Sequence, residues 1–153
     1  MVTPPANPVF IDTNILTRAT ISAAPLHSQA QAALMQFRHE GRDLWISNQV
    51  IREYLANATR PQTYSQPIPV EQLLEQVKRF RTAFRIADEA SRVLDQLVAL
   101  IAKIPLGGKQ IHDANIVATM LAYGITTLFT HNVEDFRRFS AHITVLPLES
   151  NPV

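Results

Sequence analysis

Five side chains in this sequence are candidates to hold a hard cation together: Asp12, Glu53, Asp113, Asn132 and Asp135. In "FIDTN" the run Val9-Phe10-Ile11 suits a buried strand, and Asp12 stops it. A carboxylate there is either a turn residue or a ligand, depending on whether other acids converge on it. Carboxylates a few ångströms apart repel one another. Mg2+ and Mn2+ offset that repulsion, using one or two carboxylates together with waters and substrate phosphate. Two such ions about 3.5–4 Å apart activate water and stabilise the leaving oxygen in phosphodiester cleavage. His112, His131 and His142 show no zinc-binding spacing, and cysteine is absent, so a zinc centre is not expected.

Taken singly, most of these acids have an ordinary explanation. Asp12 suits a turn, and Asp135 suits a helix start. Glu53 shares a polar stripe with Gln49, Asn57 and Arg60, where a solvated glutamate is the default. Asp113 is less easily dismissed. Helical spacing places it between Val117 and Met120 in an apolar arc, where an ionised carboxylate must be capped, paired or metal-bound. Only the ensemble points to chemistry.

The elements that must position these residues follow from hydrophobic periodicity. Strands are expected at 8–13, 44–47, 126–130 and 143–148, with a residue or two of extended chain at 85–88. Helices are expected at 27–38, from Ser47 or Asn48 to about 59, and at 70–84, 91–102, 110–123 and 133–139. The inward faces are read as Val70, Leu73, Leu74, Val77, Phe80 and Phe84, then Val93, Leu94, Leu97, Val98 and Ile101. Strands alternating with helices imply an α/β fold whose parallel sheet is covered on both faces. Ligands of such sheets bind beyond the carboxyl ends of the strands. Asp12, Glu53 and the Asn132–Asp135 pair fall at three strand-to-helix junctions, hence on one edge.

At 153 residues the chain matches one domain, with 46% hydrophobic and 18% charged residues. We expect a short flexible start at 1–7, a domain at 8–148 with a helical elaboration at about 61–105, and a tail at 149–153. No apolar run approaches the ~20 residues needed to cross a bilayer, so no membrane partner is expected. The opening residues lack the basic start and apolar core of a secretion signal, and the absence of cysteine fits a reducing cytoplasm. A net charge of +1 gives no reason to expect strong nonspecific binding to nucleic acid. A polyanion would need a local patch, for which Arg52, Arg60, Lys109 and His112 are candidates. The run "KRFRTAFR" adds four charges, on a face otherwise read as solvated with Phe80 and Phe84 buried.

"FIDTNIL", "VIREYL", "IHDANIVA" and "THNVEDF", in that order, resemble the PIN domain, the nuclease fold of VapC-type toxins. The resemblance spans about residues 8–148. It implies a three-layer α/β/α fold with about five parallel strands and an endoribonuclease using one or two Mg2+ or Mn2+ ions. On this resemblance Asp12, Glu53 and Asp113 are the three metal-binding carboxylates: Asp12 and Asp113 bind the main ion directly, Glu53 binds it through water or orients the nucleophile, and Asn132 and Asp135 hold a second ion. Thr13 and Asn14 orient the first aspartate, and Thr130 supplies a hydroxyl beside the site. Where many members carry an aspartate this chain has Asn132, which leaves the fourth acidic position open between Asn132 and Asp135. The resemblance also implies an RNA substrate, a VapB-like antitoxin seated in a groove between the helices at 48–59 and 70–84, and a homodimer. Two rival readings remain. One is a phosphoryl-transfer domain with Asp12 as nucleophile; the other is a catalytically idle PIN fold that binds RNA or protein.

Overall fold

The computed structural model describes residues 7–63 and 65–149; the terminal segments expected at 1–7 and 149–153 otherwise lie outside the described residues. Val9–Ile11 forms β1, fully buried, as an unbroken apolar run at the centre of a sheet should be. The backbone then turns directly into a helix, α1, over Thr13–Thr20. Periodicity did not predict this helix, because "TNILTRAT" is short and rich in β-branched threonine. After α2 (His27–His39), β2 (Leu44–Ser47) runs into α3 (Asn48–Ala58). Ser47 caps α3 by accepting from the Val50 N–H at 3.3 Å.

The segment expected to be a helical elaboration does more than decorate the sheet. Between α4 (Val70–Ala83) and α5 (Ser91–Lys103) it contributes β3 (Arg85–Ala87), which pairs in parallel with β2. The chain continues through α6 (Gln110–Ala122), β4 (Thr127–Thr130) and α7 (Val133–Phe136), extended by a 3-10 turn at Arg137–Phe139, to β5 (Thr144–Pro147). Gly124, at φ +70°, reverses the chain after α6 where an L side chain would be strained.

The five strands are parallel in the order β3-β2-β1-β4-β5. From β1 the chain winds outward through β2 to β3, then crosses back to β4 on the other side of β1. Right-handed crossovers therefore put α1–α4 on one face and α5–α7 on the other. The winding direction reverses between β1 and β4. That is where a crevice opens at the carboxyl ends of the strands.

Two of the expected inward faces are only partly inward. On α4, Leu73 and Phe80 are buried but Val70 and Leu74 are exposed. On α5, Val93 and Leu100 are buried while Leu94, Val98 and Ile101 face solvent. Phe80 and Phe84 are buried beneath the charged run, as expected. Among the described residues no helix is long and apolar enough to cross a membrane.

Candidate active site

Asp12 ends β1 at the switch point and is only 5% exposed. It is both a turn residue and a candidate ligand. As the N-cap of α1 it accepts the Thr13 N–H on Oδ1 at 2.8 Å. Its Oδ2 accepts the Asn14 amide at 2.9 Å and the Thr130 hydroxyl at 2.7 Å. A carboxylate has about four acceptor positions, so these three bonds leave one on Oδ1. Asn14 also donates to Thr130 Oγ1 at 3.1 Å and accepts the His131 N–H at 2.9 Å. The ends of β1 and β4 are thereby fastened together around one carboxylate.

Glu53 reaches the same edge from α3. The Thr13 hydroxyl donates to its Oε2 at 3.0 Å, and the Gln49 amide to its Oε1 at 3.0 Å. The polar stripe on which Glu53 was read as solvated therefore turns inward here. Gln49, only 4% exposed, also donates to the His112 carbonyl at 2.9 Å and accepts from Asn115 at 2.7 Å. One amide thus ties the helix bearing Glu53 to the helix bearing Asp113.

Asp113 lies half-buried in the first turn of α6. Its carboxyl is pushed up to about 6, chiefly by burial and then by the negative charges of Asp135, Asp12 and Glu53, against an opposing pull from Arg138. Asp12 is likewise pushed up to about 6, again chiefly by burial, with Glu53 adding to the rise and its hydrogen bonds from Thr130, Thr13 and Asn14 opposing it. These influences place four acids from four segments in one electrostatic neighbourhood. Asp135 is exposed at the start of α7, and the neighbouring Asn132 sends its backbone N–H to Thr130 Oγ1 at 3.0 Å.

Among the described residues no three carboxylate, imidazole or thiol side chains are gathered tightly enough to form a metal cage unaided. The donor set fits Mg2+ or Mn2+ nonetheless. Such ions take one or two carboxylates and keep several waters rather than demanding an all-protein shell. Asp12 and Glu53 also each retain unused acceptor capacity after their hydrogen bonds. Of the basic candidates, Arg52 and His112 line a cleft of about 230 Å³ with Gln49 and Glu53, although Arg52 is paired to Glu89 at 3.0 Å. Arg60 lies in a separate cleft beside Asn14. Lys109, exposed just ahead of α6, lines neither.

Residues 9–141 match the sequence pattern of the PIN domain. The chain belongs to the PIN domain family. Ribonuclease VapC48 of Mycobacterium tuberculosis is 28% identical to it over 130 residues, covering 84% of this chain and 89% of that protein. Among solved PIN-like structures, VapBC2 from Rickettsia felis, bound to a DNA fragment from its promoter, aligns with a TM-score of 0.66 at 18% identity, covering 92% of this chain and 98% of that one. VapC20 of M. tuberculosis, a sarcin-ricin loop cleaving toxin, aligns at 0.63 and 14% identity, covering 89% and 96%. These structural likenesses extend the shared fold across nearly the whole chain.

Four residues around this PIN site escaped the sequence reading: Gln49, Asn115, Arg138 and Arg18. Gln49 carried a usable signal, since it sits one helical turn before Glu53 on the same face. Arg138 carried none, because its proximity to Asp113 arises only when separate segments meet, and Arg18, one turn after Asn14, was hidden because α1 itself was not expected.

Proposed function

We propose that this PIN domain is a divalent-metal-dependent endoribonuclease, acting as the toxin of a toxin–antitoxin pair. The carrying observation is the convergence of Asp12, Glu53 and Asp113, from the end of β1, from α3 and from α6, on the switch point of the sheet. The 28% identity to a ribonuclease VapC supports the substrate class.

When bound, Mg2+ or Mn2+ supplies positive charge to the phosphodiester and acidifies the attacking water. The chain's own residues do the rest. Asp12 and Asp113 are the direct ligands in this reading. Asp12 is held by three donors that leave one acceptor position on Oδ1 for the ion, and Asp113 presents a carboxyl already crowded by negative charge. Glu53, fixed between Thr13 and Gln49, orients water for attack in line with the leaving 3′-oxygen. Asp135 takes the fourth acidic position, because its charge bears directly on Asp113. Asn132 contributes a neutral oxygen, and a second ion would be the more weakly held. Thr13, Asn14 and Thr130 are positioning residues. Arg52 and His112, beside Glu53, are the nearest candidates to meet an RNA phosphate.

An apolar cleft of about 350 Å³ between α1, α2 and α4, lined by Leu16, Leu34, Phe80 and Phe84 and rimmed by Arg38 and Arg79, suits an acidic amphipathic helix of an antitoxin. It lies beside the groove expected between α3 and α4, where Tyr54, Leu73, Gln72 and Gln76 line a more polar cleft of about 510 Å³. A second copy of the chain is the partner we assign to the exposed face of α5. The cytoplasm is the compartment we assign to it, as the setting of the proposed RNA substrate. The test is cleavage of RNA in Mn2+ by the wild type and by Asp12→Asn. The expected result is metal-dependent cleavage that falls at least a hundredfold in the variant. Undiminished cleavage by Asp12→Asn would remove the proposal.

A further inference from the structure

Beside the acidic crevice lies a second cleft, of about 190 Å³, lined by Asn14, Thr17, Arg18, Asn57, Arg60 and Gln62. Its lining carries two guanidinium groups, three carboxamides and a hydroxyl, and no carboxylate. It opens on Asn14, the residue that holds Asp12 and Thr130, so it shares a rim with the proposed ligands. The geometry is that of two parallel steps along neighbouring helices. On α1, Asn14 is followed one turn later by Arg18. On α3, Glu53 is followed one turn later by Asn57, about 6 Å along the helix axis, and Arg60 comes two residues past the end of the helix.

The cations are partly engaged. Arg60 donates to the Asn57 side chain at 2.5 Å, and Gln62 to the Asn57 carbonyl at 2.7 Å. Arg18 spends one Nη on the Pro25 carbonyl at 2.7 Å. Its Nε–H is buried and has no hydrogen-bond partner. A buried donor left unmet costs about 1–3 kcal/mol, and a modest rotation would offer it, with an Nη, to a pair of anionic oxygens. Guanidinium forks match phosphate in this bidentate way.

We propose that this cleft is a subsite for a backbone phosphate of the RNA strand flanking the scissile bond, with Arg18 and Arg60 as its ligands. The proposal rests on the ribonuclease reading and deepens it. The acidic crevice repels RNA except where a cation intervenes, so a cationic cleft on its rim fixes the strand on one side and sets its direction of entry.

The experiment measures binding of a fluorescently labelled single-stranded RNA by anisotropy across a salt series, with Ca2+ in place of Mn2+, alongside steady-state cleavage in Mn2+. Arg60→Gln and Arg18→Lys are compared with Arg81→Gln, an exposed arginine on α4 away from the cleft. Arg60→Gln is expected to raise KM about tenfold with kcat within twofold, and to reduce the slope of log Kd against log salt by about one. Arg18→Lys keeps the charge but loses the fork, so it is expected to raise KM with little change in slope. Arg81→Gln is expected to change neither. Wild-type salt dependence and KM in Arg60→Gln, or an equal loss in Arg81→Gln, overturns the subsite, as does an effect confined to binding of an acidic partner peptide. If the wild type binds RNA through Arg60 but cuts none, the subsite stands and the ribonuclease reading falls.

Discussion

Gln49 illustrates how a neutral side chain can govern an acidic site. Its amide fixes Glu53 on one side and is itself held by Asn115 and the His112 carbonyl. Replacing it by Leu keeps the bulk, removes three hydrogen bonds and frees Glu53 to rotate. We expect Gln49→Leu to raise the Mn2+ concentration for half-maximal cleavage about tenfold, with RNA binding unchanged. The titrations of Asp12 and Asp113 give a second expectation. Both carboxyls are pushed up from 3.8 to about 6, so between those values the folded state holds protons that the unfolded chain has lost. Their contribution to stability is therefore full below about pH 4 and is lost as pH rises through about 6. In chelator, urea midpoints should fall across that interval. With Mn2+ the fall should be reversed, because the ion favours the ionised carboxylates.

At the level of elements, local chemistry decides where each helix begins and ends. Gly124 sits at φ +70°, and an added Cβ there meets no atom within 4 Å, so Gly124→Ala isolates backbone strain. Its expected cost is about 1–2 kcal/mol, read as a lower denaturation midpoint with cleavage intact in the folded fraction. The long helices, the "LWIS" strand and the Ser47 cap were legible because they rest on signals within one segment. The α1 helix was not, since its start is set by Asp12 capping Thr13 and its packing by α2 and α3. The site was legible in its residue types and chain order, including Asp12, Glu53 and Asp113. How those side chains are held was not, because the bonds from Thr13 to Glu53 and from Thr130 to Asp12 join residues 40 and 118 positions apart.

At the scale of the whole molecule, the order β3-β2-β1-β4-β5 puts the reversal of winding beside Asp12, so the fold concentrates negative charge at one rim. Elsewhere it leaves apolar surface uncovered. Leu94, Val98 and Ile101 form an i, i+4, i+7 stripe on α5, each at least 38% exposed. Periodicity could mark these residues as apolar but not say which of them the sheet would cover. Val98→Glu is therefore expected to shift a dimer to monomer in light scattering while leaving the fold intact by circular dichroism. The central claim is that Asp12, Glu53 and Asp113 jointly hold one divalent cation. Anomalous diffraction from a crystal soaked in Mn2+ tests it most directly. A peak within bonding reach of Asp12 and Asp113, bordered by Glu53, is the predicted result; a fully soaked crystal with no peak in that crevice would contradict it.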